Sequence, residues 1–376
     1  MANLPKNIFI LGGSYAGVST AHRILKQSAK AGLAIKITLV SPNTHVYWNL
    51  ASVRAIVPGE MPDEKVFSSI ATGFKQYAAD RFEFIVGAAE GLDVENKTVV
   101  VSGDRGRSSL NYDTLILATG SRTKEDSPFK GKGTYQETLD SLHEWQSKVK
   151  NASSIYVAGA GATGVETSGE LGFAYGSTKK ITLIASGPTI LGGTPASVSK
   201  TATKQLQNLH VDIMVSTKVS GSAKTPDGKY EITLSNGEKI TTDLYIPTMG
   251  LVPNSSFIPE KYLNPAGFAI VDDFLRLKGT EDVWVVGDVS AVERPQYVNT
   301  DKQSVHVAKN IGLGFKNSEP LSYKVAEKNM LAVTVGKKVG TGHMGGMKFP
   351  SFVVNMVKGK TLFTEKLVPM VNGSAF

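Results

Sequence analysis

The chain has 376 residues, of which 41% are hydrophobic and 20% charged, a composition typical of a globular protein with two or three domains. It contains no cysteine, which excludes disulfides, thiolate metal sites, iron–sulphur clusters and redox chemistry on a protein thiol. The 41 Lys and Arg residues against 33 Asp and Glu residues give a net charge of +8, which does not by itself identify an acidic partner.

No targeting or membrane-spanning segment is evident in the sequence. The N-terminal apolar run at residues 8–11 is too short for the hydrophobic region of a signal peptide, and it leads into glycines, as a core strand would. No apolar run approaches the roughly 18 residues of a membrane-spanning helix. These features predict an intracellular, cytoplasmic protein and leave open an association with mitochondrial or other membranes.

A first glycine-rich turn follows the strand predicted at residues 8–11. Residues 12–17 read Gly-Gly-Ser-Tyr-Ala-Gly, close to the G-x-G-x-x-G pattern that holds a dinucleotide between a strand and a helix. Its glycines let the backbone approach a pyrophosphate, which faces the free N–H groups of the helix N-terminus. Ser14 replaces the middle glycine, and Ser41 stands where an acidic residue usually binds the ribose. We predict cofactor binding by Gly12, Gly13, Ser14, Ala16, Gly17 and Ser41.

A second turn, at residues 159–164, matches the full pattern and follows a strand predicted at residues 155–158. The ribose-binding acid of the pattern would fall near Ala185, so no carboxylate repels a 2′-phosphate there. NADH and NADPH therefore both remain candidates. The predicted binding residues of this turn are Gly159, Gly161, Thr163 and Gly164.

The order of these elements predicts an α/β fold. Each turn is followed by a helix and another short strand, at residues 35–40 and 180–184, and such units form parallel sheets. The Asn236-Gly237 pair predicts a hairpin between strands at residues 230–234 and 239–245. We expect two Rossmann-like dinucleotide-binding domains and a small C-terminal subdomain.

Two dinucleotide sites in one chain are typical of a flavin beside a nicotinamide. We therefore predict a discontinuous FAD-binding domain at residues 1–123 and 247–315, and an NAD(P)H-binding domain at residues 124–246. The small C-terminal subdomain would cover residues 316–376.

Three further motifs follow predicted strands. They are Ala118-Thr119-Gly120, the segment at 248–254 (Thr-Met-Gly-Leu-Val-Pro-Asn), and Gly287-Asp288. In this order with the two turns, they resemble the glutathione-reductase-type flavoproteins with two dinucleotide-binding domains, from residue 7 to about residue 312. The resemblance implies FAD and NAD(P)H as cofactors, with the Asp288 carboxylate on the ribityl chain of FAD. It adds as cofactor-binding residues Ala118, Thr119, Gly120, Gly250, Gly287 and Asp288.

The family can be narrowed further. Dithiol reductases need a C-x₄-C pair, which a chain without cysteine lacks. Residues 45–54, 164–171 and 349–370 resemble the apoptosis-inducing-factor-like flavoproteins of the ferroptosis-suppressor type, including fungal members. This resemblance implies that NAD(P)H passes a hydride to FAD and that the electrons then go to a small-molecule acceptor, with a quinone as the leading candidate. Arg54, in the first of these segments, is predicted to bind the cofactor.

Four side chains are candidates for roles near the reacting rings. Glu166 begins the helix after the second turn and is predicted to be catalytic; a glutamate favoured there by the helix dipole is the alternative. Lys302 is a catalytic candidate because a cation would stabilise anionic reduced flavin. Trp48 and His306 are predicted to contact substrate, as a stacking wall and a proton donor. The alternatives are ordinary packing for Trp48 and a structural role on a helix face for His306. No histidines show metal-ligand spacing, and no metal site is predicted.

The C-terminal tail contains an amphipathic pattern. Phe349, Phe352, Val353, Met356 and Val357 recur at the spacing of one helical face, and the surrounding stretch is rich in lysine. A basic amphipathic helix can lie on an anionic membrane surface, which would give access to a lipid-soluble quinone. Packing of this face on the protein's own core is the alternative, so peripheral membrane contact through residues 349–370 stays a hypothesis.

Two other functions remain open on this reading. One is flavin-dependent redox tailoring of an aromatic or polyketide-like metabolite. The other is a signalling or nucleic-acid-binding flavoprotein, which the net charge of +8 would permit. Because no basic face with interleaved aromatic residues stands out, no specific nucleic acid is predicted as a partner.

Overall fold

The first part of the chain forms a large sheet flanked by helices. The structure, a computed structural model, describes residues 5–104, 106–327 and 329–376. The elements of this part are β1 (Lys6–Leu11), α1 (Tyr15–Lys30), β2 (Ile35–Ser41), β3 (His45–Tyr47), α2 (Ser52–Ala55), β4 (Phe67–Ser69), α3 (Ile70–Phe74), β5 (Phe82–Asp93), β6 (Thr98–Gly103), β7 (Gly106–Asn111), β8 (Thr114–Leu117) and β9 (Ser121–Thr123).

The middle part repeats the strand–helix–strand arrangement around the second glycine turn. Its elements are α4 (Tyr135–Asn151), β10 (Ser154–Ala158), α5 (Ala162–Tyr175), β11 (Lys180–Ile184), α6 (Ala196–Gln207), β12 (Val211–Met214), β13 (Val219–Lys224), β14 (Tyr230–Leu234), β15 (Lys239–Thr242) and β16 (Leu244–Pro247).

The last part returns to the first sheet and then adds a small antiparallel sheet and short helices. Its elements are β17 (Leu251–Pro253), β18 (Val283–Val285), α7 (Tyr297–Gly314), β19 (Met330–Val335), β20 (Val339–Met344), β21 (Met347–Lys348), α8 (Ser351–Val354), a π-helical turn (Asn355–Gly359) and α9 (Leu367–Val371).

Two sheets with parallel strands and flanking helices confirm the predicted α/β fold. The larger sheet has the strand order β18-β8-β1-β2-β5-β6-β7, with β18 to β5 parallel and β6 and β7 antiparallel. The second sheet has the order β12-β11-β10-β16 and is entirely parallel. In the larger sheet, β1 pairs with β2 on one side and β8 on the other, so the strand order reverses at β1.

The strand predicted at residues 239–245 is two strands in the structure. β15 belongs to the hairpin with β14, whereas β16 pairs in parallel with β10. The carboxylate of Asp243 lies between them and accepts hydrogen bonds from the backbone N–H groups of Ser153 and Ser154, at 3.0 and 2.9 Å. These contacts, made with residues about 90 positions away, redirect the chain from one sheet to the other.

The tail forms helical turns where the amphipathic pattern predicts them, but most of the apolar side chains face solvent. Phe352, Met356 and Val357 are 71%, 63% and 50% exposed, whereas Val354 is buried. Within the described residues, no helix combines the length and the apolar character needed to cross a membrane.

The C-terminal helix α9 docks on α1 through a buried histidine. The ring of His22 stacks on Phe74, with its Nε2 2.8 Å from the carbonyl oxygen of Val371 and its Nδ1 3.0 Å from the hydroxyl of Tyr77. Since the carbonyl can only accept, Nε2 donates to it and the neutral ring accepts from Tyr77. Burial lowers the pKa of His22 to about 4, because a charged ring would lose its hydration.

We expect His22→Gln to reduce the pH dependence of the free energy of unfolding. The folded-state pKa lies below the ordinary value of 6.5, so the unfolded chain binds an extra proton between the two values and stability rises with pH there. About 3 kcal/mol that is present above pH 6.5 is lost as the pH falls towards 4.

Urea unfolding at about pH 7 and about pH 4.5 measures this difference. His143→Gln is the matched control, because His143 is exposed beside Asp63. A His22→Gln variant that loses as much stability on acidification as the wild-type protein would contradict the assignment.

Candidate functional site

A cavity of about 670 Å³ lies at the carboxyl ends of β1, β2 and β8 and beside the loop after β18. This is where the strand order reverses, the place at which open α/β sheets bind ligands. Its volume is in the range of small-molecule sites, roughly 300–1,000 Å³. The predicted residues that line it are Gly12, Gly13, Ser14, Ala16, Ser41, Ala118, Thr119, Gly120, Gly287 and Asp288.

The first turn needs its glycines because backbone meets backbone there. Gly12 has φ +115°, and a Cβ on it would lie 2.2 Å from the carbonyl oxygen of Ala118. A Cβ on Gly17 would lie 1.8 Å from the carbonyl oxygen of Gly12. Helix α1 therefore packs directly on the end of β1, which brings its N-terminus to the cavity rim, an arrangement suited to an anionic group.

The second turn has the same geometry. Gly159 has φ +101°, and a Cβ on Gly164 would lie 1.7 Å from the carbonyl oxygen of Gly159. Gly161 precedes α5, as Ser14 precedes α1, and both have extended backbone. Apart from its neighbours along the chain, no described residue places an atom within 4 Å of a Cβ built on Gly161, so that side faces open space. Thr163 is half-buried in the first turn of α5.

The segment at residues 248–254 bonds to the second turn at one end and to Thr119 at the other. Thr248 Oγ1 donates to the carbonyl oxygen of Gly159 at 2.9 Å. Farther along, Asn254 Nδ2 donates to the carbonyl oxygen of Thr119 at 2.9 Å, and Thr119 Oγ1 donates to the carbonyl oxygen of Asn254 at 2.7 Å. Gly250, with φ +79°, lies between these contacts at the junction and does not line the cavity.

Two polar side chains at the cavity already have protein partners. Ser41 Oγ donates to the carbonyl oxygen of Asn43 at 3.0 Å and accepts from its N–H at 3.2 Å. The carboxylate of Asp288 accepts from Lys130 Nζ at 2.7 Å and from Ser121 Oγ at 3.1 Å, all through its Oδ2 atom.

Four charged side chains form a buried cluster away from this cavity. Arg54 donates to both carboxylate oxygens of Glu170 at 2.8 Å, and to the carbonyl oxygens of residues 359 and 360. Glu166 Oε1 accepts from Lys358 Nζ at 2.6 Å and from the N–H of Thr334 at 2.9 Å. Burial raises the pKa of the Glu170 carboxyl, and the Arg54 guanidinium opposes that effect. Arg54 therefore holds the tail in place, and its donors are not directed to the cavity.

The structure does not bring Trp48, Lys302 and His306 to the cavity wall. Trp48 is fully buried, and its Nε1 donates to the carbonyl oxygen of Leu362 at 3.0 Å, so its ring offers no surface to a substrate in this conformation. Lys302 Nζ donates to the carbonyl oxygen of residue 324 at 2.5 Å. Burial lowers the pKa of His306, whose Nε2 accepts from Asn310 Nδ2 at 3.0 Å.

Side chains outside the predicted set also line the cavity, among them Tyr15, Asn49, Ser121, Lys130 and Thr300. Tyr15, Asn49 and Ser121 adjoin residues that the motifs singled out, so inspection of neighbours could have included them. Lys130 lies in a loop with no recognisable pattern. In the described parts of the chain, no three metal-ligating side chains come together as a metal site would require.

The sequence has relatives along nearly its whole length. Oxidoreductase ptaL of Pestalotiopsis fici is 50% identical over 98% of this chain and 99% of its own length. Ferroptosis suppressor protein 1 of Homo sapiens is 26% identical over 96% of this chain and 94% of its own length. The predicted resemblance to the ferroptosis-suppressor-type flavoproteins is therefore confirmed.

The fold is also shared with solved structures. The sulfide:quinone oxidoreductase of Aquifex aeolicus superposes with a TM-score of 0.79 over 98% of this chain and 92% of its own, at 17% identity. Residues 6–312 match the family model for pyridine nucleotide-disulphide oxidoreductases, in which FAD is the characteristic cofactor beside the pyridine nucleotide. The chain belongs to the pyridine nucleotide-disulphide oxidoreductase family.

Proposed function

We propose that this protein is an FAD-dependent NAD(P)H oxidoreductase that delivers electrons to a small-molecule acceptor, with a quinone as the leading candidate. One observation carries the proposal: two glycine turns share one backbone geometry, with Gly17 against Gly12 and Gly164 against Gly159. The first turn borders the cavity of about 670 Å³, and the second follows an inner strand of its own parallel sheet. Each turn is suited to one dinucleotide.

The residues of the cavity fit FAD. The N-terminus of α1 suits a pyrophosphate, and Asp288 Oδ1 has no hydrogen-bond partner in the described chain, so it can accept from a ribityl hydroxyl. Ser41 offers the ribose a neutral hydroxyl instead of a carboxylate, and that hydroxyl already bonds to Asn43. When bound, the flavin and the nicotinamide supply the hydride chemistry, while the protein orients them.

The absence of cysteine limits which classes of electron acceptor are possible. None of the 376 residues is a cysteine, so electrons cannot pass through a protein dithiol on their way out. A small molecule that meets the flavin directly satisfies this constraint. We keep Glu166 as the proposed residue beside the nicotinamide, with the charge of its carboxylate balanced by Lys358 at 2.6 Å.

An exposed apolar patch supports a lipid-soluble acceptor. We define the tail patch as the exposed side chains Met344, Met347, Phe352, Met356 and Val357. Exposed apolar groups clustered on one surface mark an interaction site, and exposed lysines at residues 348 and 360 would favour an anionic surface. We therefore propose that the tail patch rests on a membrane in which a quinone is dissolved.

A second candidate acceptor is an aromatic metabolite, as in the redox tailoring considered above. The observation that favours it is the 50% identity to a fungal oxidoreductase, about twice the identity to the human ferroptosis suppressor protein. The two candidates differ in their need for a membrane, because a water-soluble metabolite would not require the tail patch.

We expect Gly161→Val to weaken NAD(P)H binding without unfolding the protein. The open space at Gly161 accommodates the side chain when no ligand is bound, but a pyrophosphate would occupy the same space. We expect an affinity at least about tenfold lower, which corresponds to about 1.4 kcal/mol. Titration with NADH and NADPH gives the affinity, and thermal unfolding gives the stability.

Gly221→Val is the matched control, because a Cβ on Gly221 likewise has no atom of the described residues within 4 Å, apart from its chain neighbours. Its affinity for the coenzymes should equal that of the wild-type protein. A Gly161→Val variant that binds both coenzymes as the wild-type protein does would argue against a nucleotide site at the second turn.

We expect the reduction of a long-chain quinone in anionic vesicles to depend on the tail patch. The double variant Phe352→Ser/Met356→Ser should lose most of this NAD(P)H-dependent activity and keep its activity with a water-soluble quinone, because only membrane contact is removed. Anaerobic oxidation of NADH and of NADPH is followed with each acceptor.

Val305→Ser is the control for replacement of an exposed apolar residue, since Val305 is 45% exposed on α7. Equal activity of the double variant and the wild-type protein in vesicles would contradict the proposed membrane contact of the tail patch. No turnover of either quinone by the wild-type protein would favour the metabolite as acceptor.

A further inference from the structure

Lys130 lines the cavity in a segment for which no sequence motif predicts a cofactor contact. Lys130 Nζ lies 2.7 Å from Asp288 Oδ2, and the two side chains are only 23% and 14% exposed. Asp288 follows β18, whereas Lys130 lies in the connection from β9 to α4. The ion pair therefore joins segments 158 residues apart in sequence across the cavity.

The segment that carries Lys130 is held in place on both sides of it. We call residues 124–133 the connecting segment; eight of its ten residues line the cavity. The N–H of Lys124 donates to the carbonyl oxygen of Gly250 at 2.9 Å, and the N–H of Lys132 donates to Thr138 Oγ1 at 3.0 Å. The segment therefore has fixed ends and follows one wall of the cavity.

Two more hydrogen bonds fix the backbone immediately before Lys130. Tyr47 Oη donates to the carbonyl oxygen of Pro128 at 2.9 Å, and Asn49 Nδ2 donates to that of Phe129 at 2.7 Å. Phe129 itself is buried. Lys130 is therefore placed by a built environment, unlike a surface lysine that meets a carboxylate by chance.

The ion pair involves one carboxylate oxygen of Asp288, Oδ2, and leaves Oδ1 available to a ligand. Lys130 and Ser121 both donate to Oδ2, while Oδ1 has no protein hydrogen-bond partner in residues 5–104, 106–327 and 329–376. Two donors on one oxygen restrain the orientation of a carboxylate. The free Oδ1 is then oriented to accept hydrogen bonds from a ligand.

The charge of Lys130 also matters to an anionic ligand. The pyrophosphate of FAD is negative, and an uncompensated Asp288 in the same cavity would repel it. The ammonium group of Lys130, 2.7 Å from Asp288 Oδ2, offsets that repulsion and leaves Oδ1 free.

We propose that Lys130 is a positioning residue for FAD: it orients the Asp288 carboxylate for the polyol chain, balances the charge of that carboxylate, and fastens the connecting segment across the cavity. This inference rests on the proposed function, since it takes FAD as the ligand of the first turn. It assigns to the connecting segment a part in cofactor binding that the glycine turns do not explain.

The test is titration of FAD into the cofactor-free full chain, followed by the change in flavin fluorescence. Lys130→Met should weaken FAD binding at least about tenfold, the effect expected for loss of a hydrogen bond to a charged group. Lys130→Arg should recover most of the affinity, because an arginine can still donate to Asp288 with its charge kept. Lys239→Met is the control, since Lys239 forms an exposed ion pair with Glu231 and neither residue lines the cavity.

A double-mutant cycle separates positioning from a merely structural role. After Asp288→Asn, the further change Lys130→Met should weaken FAD binding much less than it does in the wild-type protein, because both residues act through one contact. Thermal unfolding of the cofactor-free variants should differ little from that of the wild-type protein.

Two results would overturn the inference. If Lys130→Met binds FAD within about twofold of the wild-type protein, or if its effect is unchanged after Asp288→Asn, Lys130 has no such role, while the proposed function stands. If the wild-type protein itself binds no FAD, the inference and the proposed function fail together.

Discussion

The direct contact of backbone with backbone at the two glycine turns is the constraint on which the rest of the structure depends. A Cβ on Gly17 or Gly164 would lie under 2 Å from a carbonyl oxygen of its own turn, so each helix can approach its strand only without a side chain there. This close approach brings the N-terminus of α1 to the cavity rim and gives α5 the same relation to its own sheet. Residues 248–254 bond to Gly159 of the second turn and to Thr119, whose neighbour Ala118 lies against Gly12 of the first turn.

A second layer of organisation comes from buried charge. The Arg54–Glu170 and Glu166–Lys358 pairs bring together α2, α5 and the π-helical turn of the tail. Buried ion pairs are weak evidence for net stability, but removal of one partner leaves an uncompensated charge at a large cost. The pairs therefore fix the position of the tail against α2 and α5, while its apolar patch stays exposed.

The parts of the fold that sequence could predict are those that local patterns determine. Both strand–turn–helix units were predictable, because glycine spacing and apolar runs are confined to some thirty residues. The break between β15 and β16 was not, since it depends on Asp243 meeting Ser153 and Ser154 from a distant part of the chain.

In the candidate site, too, the features set by local sequence patterns were predictable and those set by distant contacts were not. The cavity walls contain most of the residues that the motifs named, because motifs sit at strand ends and strand ends meet at one edge of the sheet. Side chains outside the motifs behaved differently. Trp48 is buried, and Lys302 bonds to the backbone of residue 324, because packing of α7 and the tail decides their surroundings. The role of Lys130 could not be predicted from the sequence, because its partner Asp288 is 158 residues away and its loop contains no motif.

The visible spectrum of the purified protein, taken before and after anaerobic addition of NADH or NADPH, tests the central claim that the two turns hold a flavin and a nicotinamide. The account predicts flavin absorption that bleaches with at least one coenzyme, which requires both sites to be occupied and close together. A flavin that neither coenzyme bleaches would contradict the role of the second turn. A colourless protein that takes up no added FAD would contradict the account as a whole.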